Sequence, residues 1–572
     1  MQLINKIIFL LILQDSPLFP NGQIYKFCWI SKTIFLICFS TCNSHLMCSI
    51  IPGKNMERVN CEHILYKKLL CILCSFLIHT CQSMDMKAPT NGPANFMAIW
   101  NAPTELCMRK FKVNIDISLF QITGSPESST IAQNITIFYT DRLGYYPSIN
   151  ETNGKITNGG IPQLTNMDFH LKKVKEDIEY YLPYSKQNGL AVIDWEDWRP
   201  IWIRNWASKA VYKMNSIEFA RQMDITMTHK KAALIAEAQF ESAAQNFMLQ
   251  TLRLGKAMRP NYLWGFYLFP NCYNYHYKSN PKQYKGHCPE VEIQRNNKLH
   301  WLWKESTALF PNVYLEVALK SSNNAVMFAR HRIQEARRLS SLSKFTLPIY
   351  VYTRPVFTDQ PDKFLSEVDL ANVIGEIAAL GADGFVMWGE IKNMTQSKKT
   401  CTDLNSYLVK ILNPYIINVT LAAKLCSHVL CQDNGLCTRK NWNTNTYLHL
   451  NSNTLAIEQK NGKYTIKGHA THEDLTYFSK HFQCHCNAGR KCKETFNLKN
   501  IGLVNVCLPN SNICVKARFD AHSSKVPEIS KITPSPTKTA PRILQSITIG
   551  RAKVTKNKKQ THRHQVDLSV NI

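Results

Sequence analysis

The sequence predicts an α/β fold, a β/α barrel or a doubly wound sheet, followed by a smaller disulfide-rich module. Three observations predict it. Short apolar strands alternate with longer segments of helical period over about 300 residues. Most of those strands end in a polar or aromatic residue. After about residue 420 the alternation stops and cysteines crowd together.

Taken in order, the strands read as FMAIWN (96–101), ITIFYT (135–140), LAVIDWE (190–196), LWGFYLF (263–269), ALFPNVY (308–314), LPIYVYT (347–353) and GFVMWG (384–389). Each is a run of four to seven apolar or aromatic residues, the pattern of a strand buried on both faces of a parallel sheet. Helical periodicity dominates between them, most clearly over 228–258 and 323–343. The strand ends carry Asn101, Tyr139, Asp194 with Glu196, Tyr267, Tyr314 and Trp388. In barrels the C-terminal ends of the strands are where active sites are built. A cleft lined with tyrosine and tryptophan suits sugar rings, whose C–H faces stack on aromatic surfaces. Each of these aromatics taken singly reads equally well as core.

The segment GLAVIDWEDWRP (189–200) is the most informative. Gly189 to Ile193 reads as a buried strand. Asp194 and Glu196 follow two residues apart, so continued extension places both carboxyls on one face, about 6–7 Å apart at the backbone. Asp197 points the other way. Two carboxyls walled by Trp195 and Trp198 could do acid/base work on a sugar. The alternative is that these acids cap the next helix or pair with Arg199.

Composition sets the boundaries. The chain has 572 residues, enough for two or three domains, and a hydrophobic fraction of 45% typical of globular proteins. Its net charge is +27. From Lys516 onward there are 12 Lys and Arg against 3 Asp and Glu, so a third of the excess sits in a Ser/Thr/Pro/Lys tail. Residues 517–572 therefore read as a basic, disordered, solvated tail rather than a nucleic-acid-binding arm. The remaining positive charge favours an anionic substrate through long-range steering.

Of 20 cysteines, eight precede residue 82 and twelve follow from Cys107. The even second set, together with sequons at Asn134, Asn150, Asn393 and Asn418, indicates an oxidising secretory compartment and glycosylation at those asparagines. Met56 opens a charged, then apolar, then polar stretch with the pattern of a signal peptide over 56–84. Residues 1–55 read as a leader outside the functional chain; a membrane-anchoring N-terminus is the alternative. The body of the chain contains no run of about 20 apolar residues that would make a transmembrane span. Cys426, Cys431, Cys437, Cys484, Cys486 and Cys492 have the layout of an EGF-like module with a long insertion. That likeness implies the pairs Cys426–Cys437, Cys431–Cys484 and Cys486–Cys492, with Cys507–Cys514 closing a further loop. A zinc site is the competing reading, disfavoured in a secretory context; no metal or cofactor is expected.

Four motifs in order resemble vertebrate hyaluronidases, most closely the sperm-type and related members. They are GLAVIDWEDWRP, RPNYLWGFYLFPNCYN (259–274), SYLVKILNPYIINVTLAAKLC (406–426) and the EGF-like cysteines. The resemblance covers about residues 92–516. It implies a distorted (β/α) TIM-like barrel over 85–425, an EGF-like module over 426–516, and endo-hydrolysis of the β-1,4 bond after N-acetylhexosamine in hyaluronan. It further implies a monomer in the secretory pathway, extracellular or on the cell surface, including association with sperm.

By the same resemblance Glu196 is the proton donor and Asp194 its partner, in a substrate-assisted mechanism where the substrate acetamide is the nucleophile. A raised Glu196 pKa is expected from Asp194 and the aromatic walls. Tyr267 and Tyr314 match active-site tyrosines, Arg332 an arginine that meets substrate carboxylates, Asp359 a cleft residue and Trp388 the platform under the acetamido sugar. Asn101 and Tyr146 match the cleft rim. Cys107–Cys401 and Cys272–Cys288 match the barrel disulfides. A chondroitin-preferring relative departs at the position of Tyr314, so the tyrosine favours hyaluronan over chondroitin. A protein that holds glycosaminoglycan without turnover would use the same cleft, and the presence of Glu196 argues for turnover.

Overall fold

The computed structural model describes residues 95–343, 346–460, 462–486, 504–509 and 511–517. The N-terminal leader, the signal segment, Cys492 and the basic tail lie outside them.

Seven parallel strands carry the first part of the chain: β1 Met97–Asn101, β2 Ile122–Gly124, β3 Ile135–Phe138, β4 Gly189–Ile193, β5 Tyr262–Phe266, β6 Tyr350–Thr353 and β7 Gly384–Trp388. They form two sheets, ordered β2-β1-β7-β6 and β3-β4-β5. The strand expected at 308–314 is present only as isolated bridges, Tyr267 with Phe310, Leu309 with Ile349 and Asn312 with Tyr352, which link β5 to β6. Pro311 accounts for the interruption, since it has no N–H to give to a ladder. Gly265 permits the close approach there: a Cβ on it would lie 2.4 Å from the Ala308 carbonyl oxygen. β2 escapes sequence reading because three residues, Ile-Thr-Gly, carry no period.

Alternation along the strands sorts the core into two clusters. Ile99, Ile135, Ile137, Leu190, Val192, Tyr350, Tyr352 and Val386 meet one another. Trp100, Phe138, Ala191, Ile193, Trp264, Val351 and Phe385 face the other way, into the larger core that includes the helices. This parity decides where the strand-end side chains go.

The helices form where period and caps agree. The longest, α3 (His229–Met258), follows α1 (Met167–Tyr181) and α2 (Ala210–Met223). Thr228 caps α3 by accepting the Lys231 N–H, and Ala232, Ala236, Phe240, Ala244 and Phe247 make its buried stripe at the expected spacing. Ser322 caps α4 (Asn323–Ser340) in the same way. The segment Lys398–Cys431 is long and apolar enough to cross a membrane, but 83% of its apolar window is buried inside the molecule, as for a core helix.

Its last part, α5 (Asn413–Cys431), runs without a break through position 425, where the sequence suggests a domain boundary. α5 carries Cys426 and Cys431 onto the C-terminal strands: Cys426 is bonded to Cys437 and Cys431 to Cys484. Those partners sit in β8 (Gly435–Arg439) and β11 (Phe482–Cys486), which pair antiparallel. Between them lie the hairpin of β9 (Leu455–Lys460) and β10 (Lys463–Gly468) and the helix α6 (His472–His481). Cys507–Cys514 closes the hairpin of β12 (Val504–Cys507) and β13 (Cys514–Ala517). Cys107–Cys401 and Cys272–Cys288 are bonded within the first part of the chain. The Cys486–Cys492 pairing lies outside the described residues.

One buried ion network ties the two parts together. Glu376 accepts from Arg330 of α4 at 2.8 and 3.1 Å and from Arg439 of β8 at 3.0 and 3.3 Å, and all three side chains are fully buried.

The sequons divide by burial. Asn134, just before β3, and Asn150 are exposed. Asn418 is a correction to the sequence reading: it lies inside α5, 6% exposed, and its Oδ1 accepts the Leu450 N–H at 2.9 Å. A glycan cannot be attached to a side chain in that position. The Asn393 side chain lies outside what is described. Glycosidase treatment of protein expressed through a secretory pathway is therefore expected to lose a mass step with Asn134→Gln and with Asn150→Gln, and none with Asn418→Gln.

Candidate active site

The site forms where parallel strands end. Val192 belongs to the inner cluster and Ile193 to the outer. Continuing that alternation, Asp194 faces inward with Glu196, and Trp195 faces the helices. The observed contacts agree: Trp195 packs against Phe247, Phe266 and Tyr146 at 5.1–5.6 Å between ring centroids. Trp198 stacks on Tyr146 at 5.3 Å and meets Phe240 of α3. Both tryptophans belong to the core between sheet and helices and do not wall the carboxylates, contrary to expectation.

Desolvation falls on Asp194 rather than on Glu196. Asp194 Oδ1 is buried with no hydrogen-bond partner among the described residues. Burial first, and then the charge of Glu196, raise its pKa above the ordinary carboxylate range, against the opposing pull of Arg199. The Glu196 side chain is 47% exposed and pairs with Arg199, whose Nη2 donates to Oε2 at 2.8 Å. Arg199 Nη1 donates to the Glu196 carbonyl at 2.7 Å, and Lys209 Nζ to the same oxygen at 2.5 Å. The acid–Arg199 pairing that the sequence offered as an alternative is thus real, and it holds the backbone of the acidic turn as well as its side chain.

Around this pair stands an aromatic group drawn from both sheets. Trp388 ends β7 and donates from Nε1 to the Tyr139 hydroxyl at 3.1 Å. Tyr314 stacks on Trp388 at 6.3 Å, with Tyr267 a further 6.3 Å away. Arg354 lies 5.1 Å over the Trp388 ring. Asn312 Nδ2 donates to the Tyr267 hydroxyl at 2.9 Å and fixes its direction. The Tyr139 and Tyr267 hydroxyls both feel the charge of Asp194, and burial holds their pKa values well above the ordinary tyrosine value.

Several sequence-based expectations are displaced. Arg332 is 4% exposed: its Nε donates to Asn274 Oδ1 and its Nη1 to Asn312 Oδ1, each at 2.9 Å. It orients Asn312 and so Tyr267, instead of reaching toward solvent for substrate carboxylates. Asn101 is fully buried against the Tyr352 hydroxyl, below any rim. Tyr146 is 1% exposed and belongs to the tryptophan core; its neighbour Tyr145 is the exposed one. Asp359 is exposed on another loop, where its Oδ1 accepts the Val317 N–H at 2.8 Å. In the sequence Tyr139 reads as a strand end without a role, and Asn312, Tyr352 and Arg354 go unassigned. Asn312 shares the parity of Tyr314, which is the signal that could have found it. No group of His, Cys, Asp and Glu suited to a metal ion occurs among the described residues.

Two neighbouring carboxyls in unlike environments, under an aromatic shelf at the ends of parallel strands, are the equipment of a glycoside hydrolase. Comparison with known proteins narrows the class. The family profile described as Hyaluronidase matches residues 85–496. Hyaluronidase-5 of Mus musculus is 48% identical over 458 residues, covering 79% of this chain and 86% of that protein. Hyaluronidase PH-20 of Homo sapiens is 48% identical over 445 residues, covering 77% and 86%. Among solved structures, bee venom hyaluronidase in complex with a hyaluronic acid tetramer is 31% identical, covering 56% of this chain and 98% of that one, with a TM-score of 0.48. The chain belongs to the hyaluronidase family and is a hyaluronidase glycosidase.

Proposed function

We propose that the protein cuts the β-1,4 bond after N-acetylhexosamine in hyaluronan by substrate-assisted, retaining catalysis, with the two sheets acting as one distorted β/α barrel. The observation that carries this reading is the unpaired, buried Oδ1 of Asp194 beside an exposed, acid-capable Glu196. The acetamide carbonyl oxygen of the substrate attacks the anomeric carbon while Glu196 protonates the departing glycosidic oxygen. Glu196 then takes a proton from the water that opens the cyclic intermediate. The Asp194 carboxylate accepts the acetamide N–H. Burial and Glu196 make a negative charge on Asp194 costly in the resting site. Positive charge developing on the acetamide nitrogen removes that cost, so the interaction is stronger in the transition state than in the ground state. Tyr267, held by Asn312, closes the acetamide site, and Trp388 with Tyr314 supplies the stacking face.

The C-terminal part reads as an EGF-like module, and the whole as a secreted or cell-surface monomer glycosylated at Asn134 and Asn150. The test is fragment sizing after digestion of hyaluronan, de-N-acetylated hyaluronan and chondroitin by the secreted protein. The reading expects hyaluronan to be cut and the de-N-acetylated polymer to survive. Preferential cutting of chondroitin would move the specificity to that polymer, and cutting of the de-N-acetylated polymer would remove the acetamide from the mechanism.

Asp194 also links function to stability. A carboxyl whose pKa is raised by folding binds more protons in the folded than in the unfolded state, so its contribution to stability is lost as pH rises above the ordinary value of 3.8. Asp194→Asn carries no such charge. Its unfolding temperature is expected to match the parent in acid and to exceed it by on the order of 2 °C at neutral pH, while turnover falls about a hundredfold. Thermal unfolding across pH checks the sign.

A further inference from the structure

Beside the acidic turn lies a small cleft lined by Arg199, Arg204 and Arg295 together with Ile201, Leu268 and Leu299. Arg199 is the residue that pairs with Glu196, so the pocket begins one side chain from the candidate acid. Glu292, 3% exposed, is ion-paired with Arg204, and at 2.5 Å with Arg295. Arg199 faces the carboxyls of Glu196, Asp194 and Asp197, whereas Arg204 and Arg295 share the single carboxylate of Glu292, so the positive excess lies at that pair. Arg295 Nε is buried with no acceptor among the described residues. Burial first, and then the charges of Arg295 and Arg199, lower the Arg204 pKa to about 10. Next to Arg204, Trp206 and Tyr273 are 51% and 37% exposed and meet edge to face at 5.8 Å, with the Arg204 guanidinium 5.6 Å from the Tyr273 ring centre.

An Arg–Glu–Arg group that only fastened two segments could be closed over and replaced by packed apolar side chains at no loss of stability. This one lines a cleft that mixes guanidinium groups with apolar side chains, close to two exposed rings. Those are the two surfaces of an acidic sugar: a flat C–H face and a planar oxyanion, which guanidinium binds in bidentate fashion. We propose that the pocket is a second anion site, taking one oxyanion of a glycosaminoglycan chain, a uronate carboxylate or a sulfate ester, with the sugar ring against Trp206 and Tyr273. Its position relative to the scissile bond rests on the assignment of Asp194 and Glu196; its binding of the anion does not.

The test is calorimetric binding to full-length protein carrying Glu196→Gln, which does not consume its ligand. Hyaluronan octasaccharide is expected to bind about tenfold more weakly when Arg295→Gln or the paired Arg204→Gln/Glu292→Gln is added, one charged hydrogen bond's worth. A tetrasaccharide, too short to span both places, is expected to bind all three proteins alike. Carboxyl-reduced octasaccharide is expected to bind the unaltered pocket as weakly as the native ligand binds the variants. Tighter binding of a chondroitin sulfate octasaccharide than of hyaluronan would identify sulfate as the preferred anion, and equal binding the carboxylate. Octasaccharide affinity unchanged in both pocket variants would overturn the proposal. If the variants fold poorly, equal binding of native and carboxyl-reduced octasaccharide by the unaltered pocket would overturn it as well. Should the pocket variants weaken the octasaccharide while the secreted parent cuts no polymer, the anion site stands and the hydrolytic reading falls.

Discussion

Glu196→Gln is expected to lower kcat/KM on hyaluronan by about a thousandfold or more while leaving polymer affinity within a few-fold of the parent. General acid–base help contributes about a hundred- to ten-thousandfold in a glycosyl transfer, and in the proposed mechanism Glu196 acts twice, as acid and then as base. The amide keeps the shape and can still accept from Arg199 Nη2, so the acidic turn holds its course: Arg199 and Lys209 also bond its main-chain carbonyl. A fall in kcat with KM preserved is the signature of an interaction made only in the transition state. Steady-state kinetics on sized hyaluronan, with binding measured separately, checks it. Activity within tenfold of the parent would mean that another group supplies the proton.

Glu376→Ala is expected to cost about 3–5 kcal/mol of stability without touching the site. The carboxylate is fully buried and is the only acid ion-paired with Arg330 and Arg439 among the described residues. Its loss leaves two buried guanidinium groups facing main-chain carbonyls of residues 442–444, which satisfy hydrogen bonds and not charge. Because Arg330 sits on α4 and Arg439 on β8, the loss should loosen the C-terminal part against the strands and lower the yield of folded protein. Glu376→Gln keeps the volume and one accepting oxygen, hence two of the four hydrogen bonds, and should cost less than the alanine. Thermal and denaturant unfolding of the two variants give the comparison, and equal stability of Glu376→Ala and the parent would contradict it.

What the sequence disclosed follows from where short-range rules reach. Alternation along 190–196 was enough to place Asp194 and Glu196 on one face, and the same rule puts Trp195 on the other. That the tryptophans are core and not walls depends on α3, whose Phe240 and Phe247 come from 40 or more residues away, and no local pattern announces them. Tyr145 and Tyr146 are adjacent and chemically identical, yet one is 44% exposed and the other 1%; only the packing on Trp198 separates them. Arg332 reads as a free cation because Asn274 and Asn312, which hold it, are 58 and 20 residues distant. The Asn418 sequon fails because the apolar helix around it continues, a feature that its own hydropathy could have shown. Cysteine spacing travelled best, since a disulfide demands partners whatever the chain does between them: Cys431 and Cys484 meet across a separation of 53 residues.

The anomeric configuration of the first-formed reducing end, followed by proton magnetic resonance during the opening minutes of hyaluronan digestion, tests the central claim most directly. Attack by the acetamide oxygen followed by water gives two inversions, so the β-anomer must appear first and mutarotate to the equilibrium mixture afterward. Initial formation of the α-anomer would mean that water attacks in a single step, with Asp194 or Glu196 serving as its base, and would contradict the substrate-assisted account.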